Sequence, residues 1–189
     1  MPTPFYQGKL DVFCAMYAVL NGLQITHGLR ALHARDILHE TLLELAATPD
    51  DLRAVLEQRT DYVPLVDGML HAQARRFPLE IVRPFQGLRH APSPRQFWQA
   101  CRTFLEGGRR RVILFRFLRY LFAEAAPLNR HWTAVDWVRG DTMHLFDCSR
   151  EEGAILDFAP GSFVTRPENL SPECLICIDT ATARFLSPR

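Results

Sequence analysis

Apolar residues crowd the stretch from Val12 to Leu23 so densely that no polar face is left, and Val-Phe-Cys-Ala-Met-Tyr-Ala-Val-Leu-Asn-Gly-Leu reads as a helix buried on nearly every side. Asp11 ahead of it suits an N-cap, which puts Cys14 in the first turn. From Leu29 to Ala46 the positions Leu32, Ile37, Leu38, Leu42, Leu43 and Leu45 recur at helical spacing, and Pro49-Asp50-Asp51 opens a short helix through Leu56. A further helix is expected from about Val66 to Arg76, followed by a strand at Leu79-Glu80-Ile81-Val82. After a Pro/Gly loop, Ser93 before Pro94 is a helix start for Arg95 to Leu105, and Gly107-Gly108 ends it.

Beyond residue 108 the pattern changes. Arg111 to Leu118, Trp132 to Val138, Thr142 to Phe146 and Cys174 to Ile178 are short runs rich in β-branched and aromatic residues, the signature of strands. Residues 118–130 fit a continued strand, a short helix or a loop over a site. Helices first and strands later predict an α+β fold with an antiparallel sheet, a helical half over about 1–108 and a sheet half over about 109–189, within one domain. No repeat or low-complexity tract interrupts the chain.

Composition narrows the function classes. With 189 residues, 48% hydrophobic, 23% charged and a net charge of +1, there is no general electrostatic footprint for nucleic acid. Lys9 is the one lysine among 22 basic residues, and the only arginine run, Arg109-Arg110-Arg111, suits a loop better than a phosphate grip. No segment reaches the roughly 18 uninterrupted apolar residues of a membrane span, and the start Met-Pro-Thr-Pro-Phe-Tyr-Gln lacks a signal-peptide pattern, so a cytoplasmic location is expected. Five cysteines without framework spacing point to free thiols in a reducing compartment.

A thiol near its ordinary pKa of about 8.5 becomes a nucleophile only beside a cationic or dipolar neighbour, and the first turn of a helix is such a place. Cys14 occupies it and needs an imidazole. The runs Trp132 to Val138 and Thr142 to Phe146 flank Arg139-Gly140-Asp141, and a three-residue loop over 138–140 with Gly140 left-handed closes them into a hairpin. That register sets His131 opposite Asp147, with Cβ atoms about 4.5–5.5 Å apart, close enough for the carboxylate to orient the ring and leave its other nitrogen for a thiol. Gln7 lies seven positions before Cys14, and Gly8 permits the turn that would bring its amide to the mouth of the helix. With the Cys14 backbone N–H it would make a two-donor oxyanion hole.

Other candidates have plainer readings. His27, His33, His39, His71, His90 and His144 form no set at metal-ligand spacing, and Cys174-x-x-Cys177 lacks a second pair and reads as core packing. Trp132 is expected in the core, on the face of its strand away from His131. Asn21, two helical turns beyond Cys14, reads as a buried hydrogen-bonding group.

The order Gln7, Cys14, His131, Asp147 resembles the papain-like cysteine peptidase superfamily, and in particular its small bacterial members such as the leader-processing peptidase domains of bacteriocin ABC transporters. Gly8-Lys-Leu-Asp-Val-Phe-Cys-Ala-Met-Tyr-Ala-Val-Leu-Asn21 resembles their Asp-x-x-Cys-Gly-x-Tyr-x-x-x-Asn helix. His131-Trp-Thr-Ala-Val and Leu145-Phe-Asp-Cys-Ser149 are similar to their His-Trp-x-x-Val and Phe-Asp-Ser segments. The sequence departs from the pattern at Ala15, where glycine is frequent, at Cys148, where serine is common, and in its seven-residue Gln-to-Cys gap, where six is usual. The resemblance implies a papain-like fold in which Cys14 is nucleophile, His131 base, Asp147 third member and Gln7 oxyanion donor. It implies a thiol hydrolase that cleaves a peptide or isopeptide bond in a peptide or protein substrate, with no metal or organic cofactor and no propeptide ahead of residue 7. Two alternatives share these residues: a transglutaminase or deamidase, and a catalytically silent peptide-binding module.

Overall fold

In the computed structural model, which describes residues 2–8, 12–149 and 154–189, the order of elements is α1 (Cys14–His27), α2 (Ala31–Ala46), α3 (Pro49–Leu56), α4 (Tyr62–Gln73), β1 (Leu79–Val82), α5 (Pro94–Glu106), β2 (Val112–Arg119), β3 (Asn129–Arg139), β4 (Thr142–Leu145), β5 (Asp157–Phe158) and β6 (Ile176–Pro188). The strands form one six-stranded sheet in the order β1-β6-β2-β3-β4-β5, with every pairing antiparallel. The chain is therefore α+β, with helices toward its N-terminus and the sheet built mainly from its C-terminal part. No helix among the described residues is long and apolar enough to cross a membrane.

Both faces of the sheet centre are covered. Val112, Leu114, Trp132, Ala134 and Leu186 pack with α1, α2 and α4, while Ile113, Phe115, Phe117, Val135 and Phe185 pack with Phe97, Trp98 and Cys101 of α5. A strand buried on both sides has no polar alternation to show, which is why β2 opens with four apolar residues, Val112 to Phe115, before Arg116 interrupts the run. Helix α1 lies in the first of these layers, and ten of its fourteen residues are buried. Gly22 permits the close approach, since a Cβ there would meet Leu114 Cδ2 at 3.2 Å. Gly28, left-handed at φ 70°, ends the helix.

Several local expectations agree with the structure. Ser93 and Gln96 form a reciprocal capping box at the start of α5, and Pro49 opens α3. Asp11 lies outside the described residues, and α1 begins at Cys14 with Phe13 as its N-cap. Helix α4 starts at Tyr62, earlier than the apolar spacing suggested, because Asp61 caps it by accepting from Val63 N. Strand β6 extends ten residues past Ile178, through a polar stretch. There Arg184 is nearly sealed from solvent yet donates through Nε and Nη2 to both carboxylate oxygens of Asp67, at 3.0 and 2.9 Å. Burial alone would push the Asp67 carboxyl up, but Arg184 and Arg83 beside it hold it below the usual carboxylate range.

A buried side chain ties the N-terminal segment to the body of the fold. Asn21, fully buried in α1, accepts from Phe5 N at 2.7 Å and donates to Phe5 O at 3.3 Å and Phe146 O at 3.5 Å. It thus joins the segment before α1 to the segment after β4. Asn21→Ala leaves these backbone groups without their buried partner and should cost about 2 kcal/mol of stability, read as a lower urea midpoint at unchanged m-value.

Candidate active site

The hairpin β3–β4 carries the first two site residues, in a register that differs from the sequence expectation. The turn is Gly140-Asp141, with Gly140 at φ 54°, and Arg139 pairs with Thr142 and Trp137 with His144. The pairing then shifts, so that Leu145 faces Val135 and Asp136 is the extra residue of a bulge. Phe146 N donates to Ala134 O at 2.7 Å, which continues the shifted register and brings Asp147 level with Thr133. Asp147 therefore reaches His131 diagonally, not as its directly opposed partner. Without the bulge Asp147 would stand level with Ala134 and its side chain would emerge on the other face of the sheet. The inserted residue was invisible in the hydrophobic pattern, since Val135, Trp137 and Val138 are apolar in either register.

His131 Nε2 lies 2.9 Å from Asp147 Oδ2 and 3.1 Å from Oδ1. Ser149 N donates to Asp147 Oδ1 at 2.7 Å, so the carboxylate is held from a second side. Asp147 is buried at 3% exposure, and the imidazole packs against the Phe117 ring at 5.3 Å between centroids. The Cys14 and Cys148 thiols both lie near enough to the ring to favour its cationic form. Burial by itself would lower the pKa of His131, but the bonds to Asp147, Cys14 and Cys148 outweigh it and hold the imidazolium well above its ordinary range.

Cys14 is the first residue of α1, and Phe13 has no side-chain acceptor to cap the helix, so the positive end of the helix is left to act at the thiol. Tyr62 stands nearby. Its hydroxyl donates to Val55 O at 2.9 Å, and burial together with the neighbouring Cys14 pushes its pKa up to about 12. Gln7 belongs to the segment anchored by Asn21. Its N–H donates to Cys148 O at 2.9 Å, and its Oε1 accepts from Cys148 Sγ at 3.5 Å. The four residues singled out in the sequence thus converge: His131 contacts Asp147 and Cys14, and Cys148 links His131 to Gln7.

One member of the cluster and one neighbour of it went unrecognised in the sequence. Cys148 stood out there only as a departure from a motif, although its place beside Asp147 is a signal that it belongs to the site. Nothing in the sequence ties Tyr62, 48 positions along the chain, to Cys14. The remaining histidines are elsewhere: His33, His39, His71 and His90 are exposed, His27 bonds Thr26, and His144 bonds Asp136 at 2.6 Å. Trp132 and Cys177 lie in core clusters.

His131, Asp147 and Cys148 each place a potential metal-ligand atom within 4.8 Å of the others. The 2.9 Å between Nε2 and Oδ2 is a hydrogen-bond length, shorter than the roughly 3.3 Å that two ligands of one tetrahedral zinc keep. The surface cavities include one of about 580 Å³ beside Arg109, Arg139 and Trp137, which none of the four site residues lines.

Comparison of the chain with family models, with curated proteins and with solved structures finds no match.

The raised pKa of His131 is also a statement about stability. A group whose pKa is higher folded than unfolded contributes fully below its unfolded value, near 6.5, and loses that contribution as pH rises through the folded value. The difference in Tm between the native protein and Asp147→Asn is therefore expected to be largest near pH 6 and to shrink toward pH 10, as thermal unfolding followed by circular dichroism across that range would show.

Proposed function

We propose that the protein is a thiol hydrolase of papain-like type that cleaves a peptide or isopeptide bond through an acyl-enzyme on Cys14. The observation that carries this reading is an imidazole clamped by a buried carboxylate and close enough to a thiol at the start of a buried helix for that thiol to help raise its pKa. With Nε2 turned to Asp147, Nδ1 is the ring nitrogen left to exchange a proton with sulfur.

In this mechanism the Cys14 sulfur attacks the carbonyl carbon and the carbonyl oxygen takes the negative charge. The Cys14 backbone N–H and the Gln7 amide receive that oxyanion. His131 gives its proton to the leaving amine, which departs and leaves the acyl group on sulfur. His131 then takes a proton from water, the resulting hydroxide attacks the thioester, and Cys14 is released with the acid. Asp147 holds the ring in one tautomer and stabilises its cationic form throughout. The loop over 120–128 that leads into β3 exposes Leu121, Phe122 and Leu128, apolar surface on the chain just before His131 that suits a side chain of a peptide substrate.

Transfer of the same acyl group to an amine, or removal of a glutamine amide, uses identical residues, and no observation favours either over hydrolysis. A silent binding module would have no use for a cationic imidazole kept against a thiol, so reactivity of Cys14 separates it from the enzymes.

Cys14 should be alkylated by iodoacetamide near pH 6 well before Cys101, Cys148 and Cys177, because burial pushes Cys148 up to about 11 and Cys177 up to about 12 and holds Cys101 well above the ordinary range. Peptide mapping by mass spectrometry reads the order, and Cys14 reacting no faster than the rest would overturn the enzymatic reading. Asp147→Asn should slow turnover of a fluorogenic peptide by roughly 10⁴-fold, as in the Ser-His-Asp template, with the fold intact. Asp136→Asn, which breaks only the exposed-side pair with His144, should leave turnover within about twofold.

A further inference from the structure

Cys148 is a buried thiol that the proposed mechanism does not use, yet it contacts two of the residues that the mechanism needs. Its carbonyl accepts from Gln7 N at 2.9 Å, which fixes the Gln7 backbone beside it. Its Sγ lies 3.5 Å from Gln7 Oε1, within the longer range of a hydrogen bond to sulfur. The residue is 1% exposed, so its sulfur is shielded from water.

From this geometry we infer that Cys148 is a positioning residue, whose S–H holds Gln7 Oε1 and so aims the Gln7 amide nitrogen at the developing oxyanion. The inference rests on the thiol-hydrolase reading and deepens it by naming what orients the oxyanion donor. A glutamine amide has an oxygen and a nitrogen of nearly equal size, and only its hydrogen-bond partners decide which way each points. A carbonyl oxygen and a thiol S–H are matched acceptor and donor, whereas the flipped amide would leave its oxygen without this donor and offer its N–H only to sulfur, a weak acceptor. The thiol is fit for this part only while it keeps its proton. Burial, the main cause, pushes Cys148 up to about 11, so the proton stays on sulfur through the neutral range.

The function needs a side chain that donates, is small enough to be sealed at this place, and does not rival Cys14 as a nucleophile. Serine meets the first two conditions through its hydroxyl. Alanine meets only the second.

The test uses the full chain and an activated ester, so it does not wait on the natural substrate. With p-nitrophenyl acetate, Cys14 Sγ bonds the acetyl carbon, p-nitrophenolate leaves with the electron pair, and the burst of nitrophenolate gives the acylation rate through a transition state that bears an oxyanion. Iodoacetamide alkylation of Cys14 passes through no oxyanion and is the control. We expect Cys148→Ala to slow acylation about 10-fold with alkylation within about twofold, and Cys148→Ser to restore acylation to within about threefold of the native rate. In a Gln7→Ala background, Cys148→Ala should slow acylation no further, because its effect runs through Gln7. Cys148→Val, close in size and without a donor, takes the place of the alanine variant should that one lose its cooperative thermal unfolding, and the same losses are expected of it.

Undiminished acylation in the alanine or valine variant, equal loss in acylation and alkylation, equal loss in the serine variant, or full additivity with Gln7→Ala would each overturn the positioning role and leave the hydrolase reading standing. A native protein that mass spectrometry finds unacetylated at Cys14 would overturn the hydrolase reading, and this inference with it.

Discussion

Asp147 is 3% exposed, and a carboxylate so far from water costs several kcal/mol unless other groups answer it. Two do: His131 Nε2 at 2.9 Å and the Ser149 amide at 2.7 Å. Satisfying this one group has consequences across the site. It fixes the direction of the imidazole ring, it is the largest of the influences that outweigh the burial that would otherwise drive the proton off His131, and it leaves the other ring nitrogen free of the carboxylate. Removing the carboxylate would therefore do more than delete one contact, because the protonation of His131 and the environment of Cys14 both hang on it.

The sheet and the N-terminal segment meet that requirement by different means. In β3 the extra residue Asp136 shifts the pairing with β4, so that Asp147 and His131 share a face. Before α1, Asn21 binds Phe5 and Phe146 at once, which sets the Gln7 segment against the chain that carries Asp147 and Cys148. Cys14 needs neither device, since it is carried by the most buried helix and is fixed by packing alone. A site of residues from three distant parts of the chain thus rests on one bulge, one buried amide and one close-packed helix.

These devices mark the limit of what the sequence makes legible. Elements driven by apolar spacing or local capping, such as α3 behind Pro49, α5 behind Ser93 and the doubly covered β2, can be read directly, because their causes lie within a few residues. The order Gln7, Cys14, His131, Asp147 could be read for its chemistry, and the structure brings those residues together. The register that joins His131 to Asp147 could not, because a bulge in an apolar run leaves no pattern. Neither could the full extent of β6. Arg184 and Asp179 look like loop residues until Asp67 and Arg116 are placed beside them, and those partners lie more than 60 positions away.

The same hairpin carries a second imidazole–carboxylate pair, and the contrast shows what the chemistry depends on. His144 Nδ1 lies 2.6 Å from Asp136 Oδ1, shorter than the pair at the site. But this imidazole stacks flat on Trp137, with 4.9 Å between ring centroids, and its side chain keeps 33% of its exposure, so water screens the pair. At His131 the side chain is 13% exposed, Asp147 is buried, and the next neighbour is sulfur. A short His–Asp contact is therefore not what distinguishes a site. The distinguishing conditions are a carboxylate sealed from water and a thiol near the ring, and in this chain the Asp136 bulge and the start of α1 bring both to His131 and not to His144.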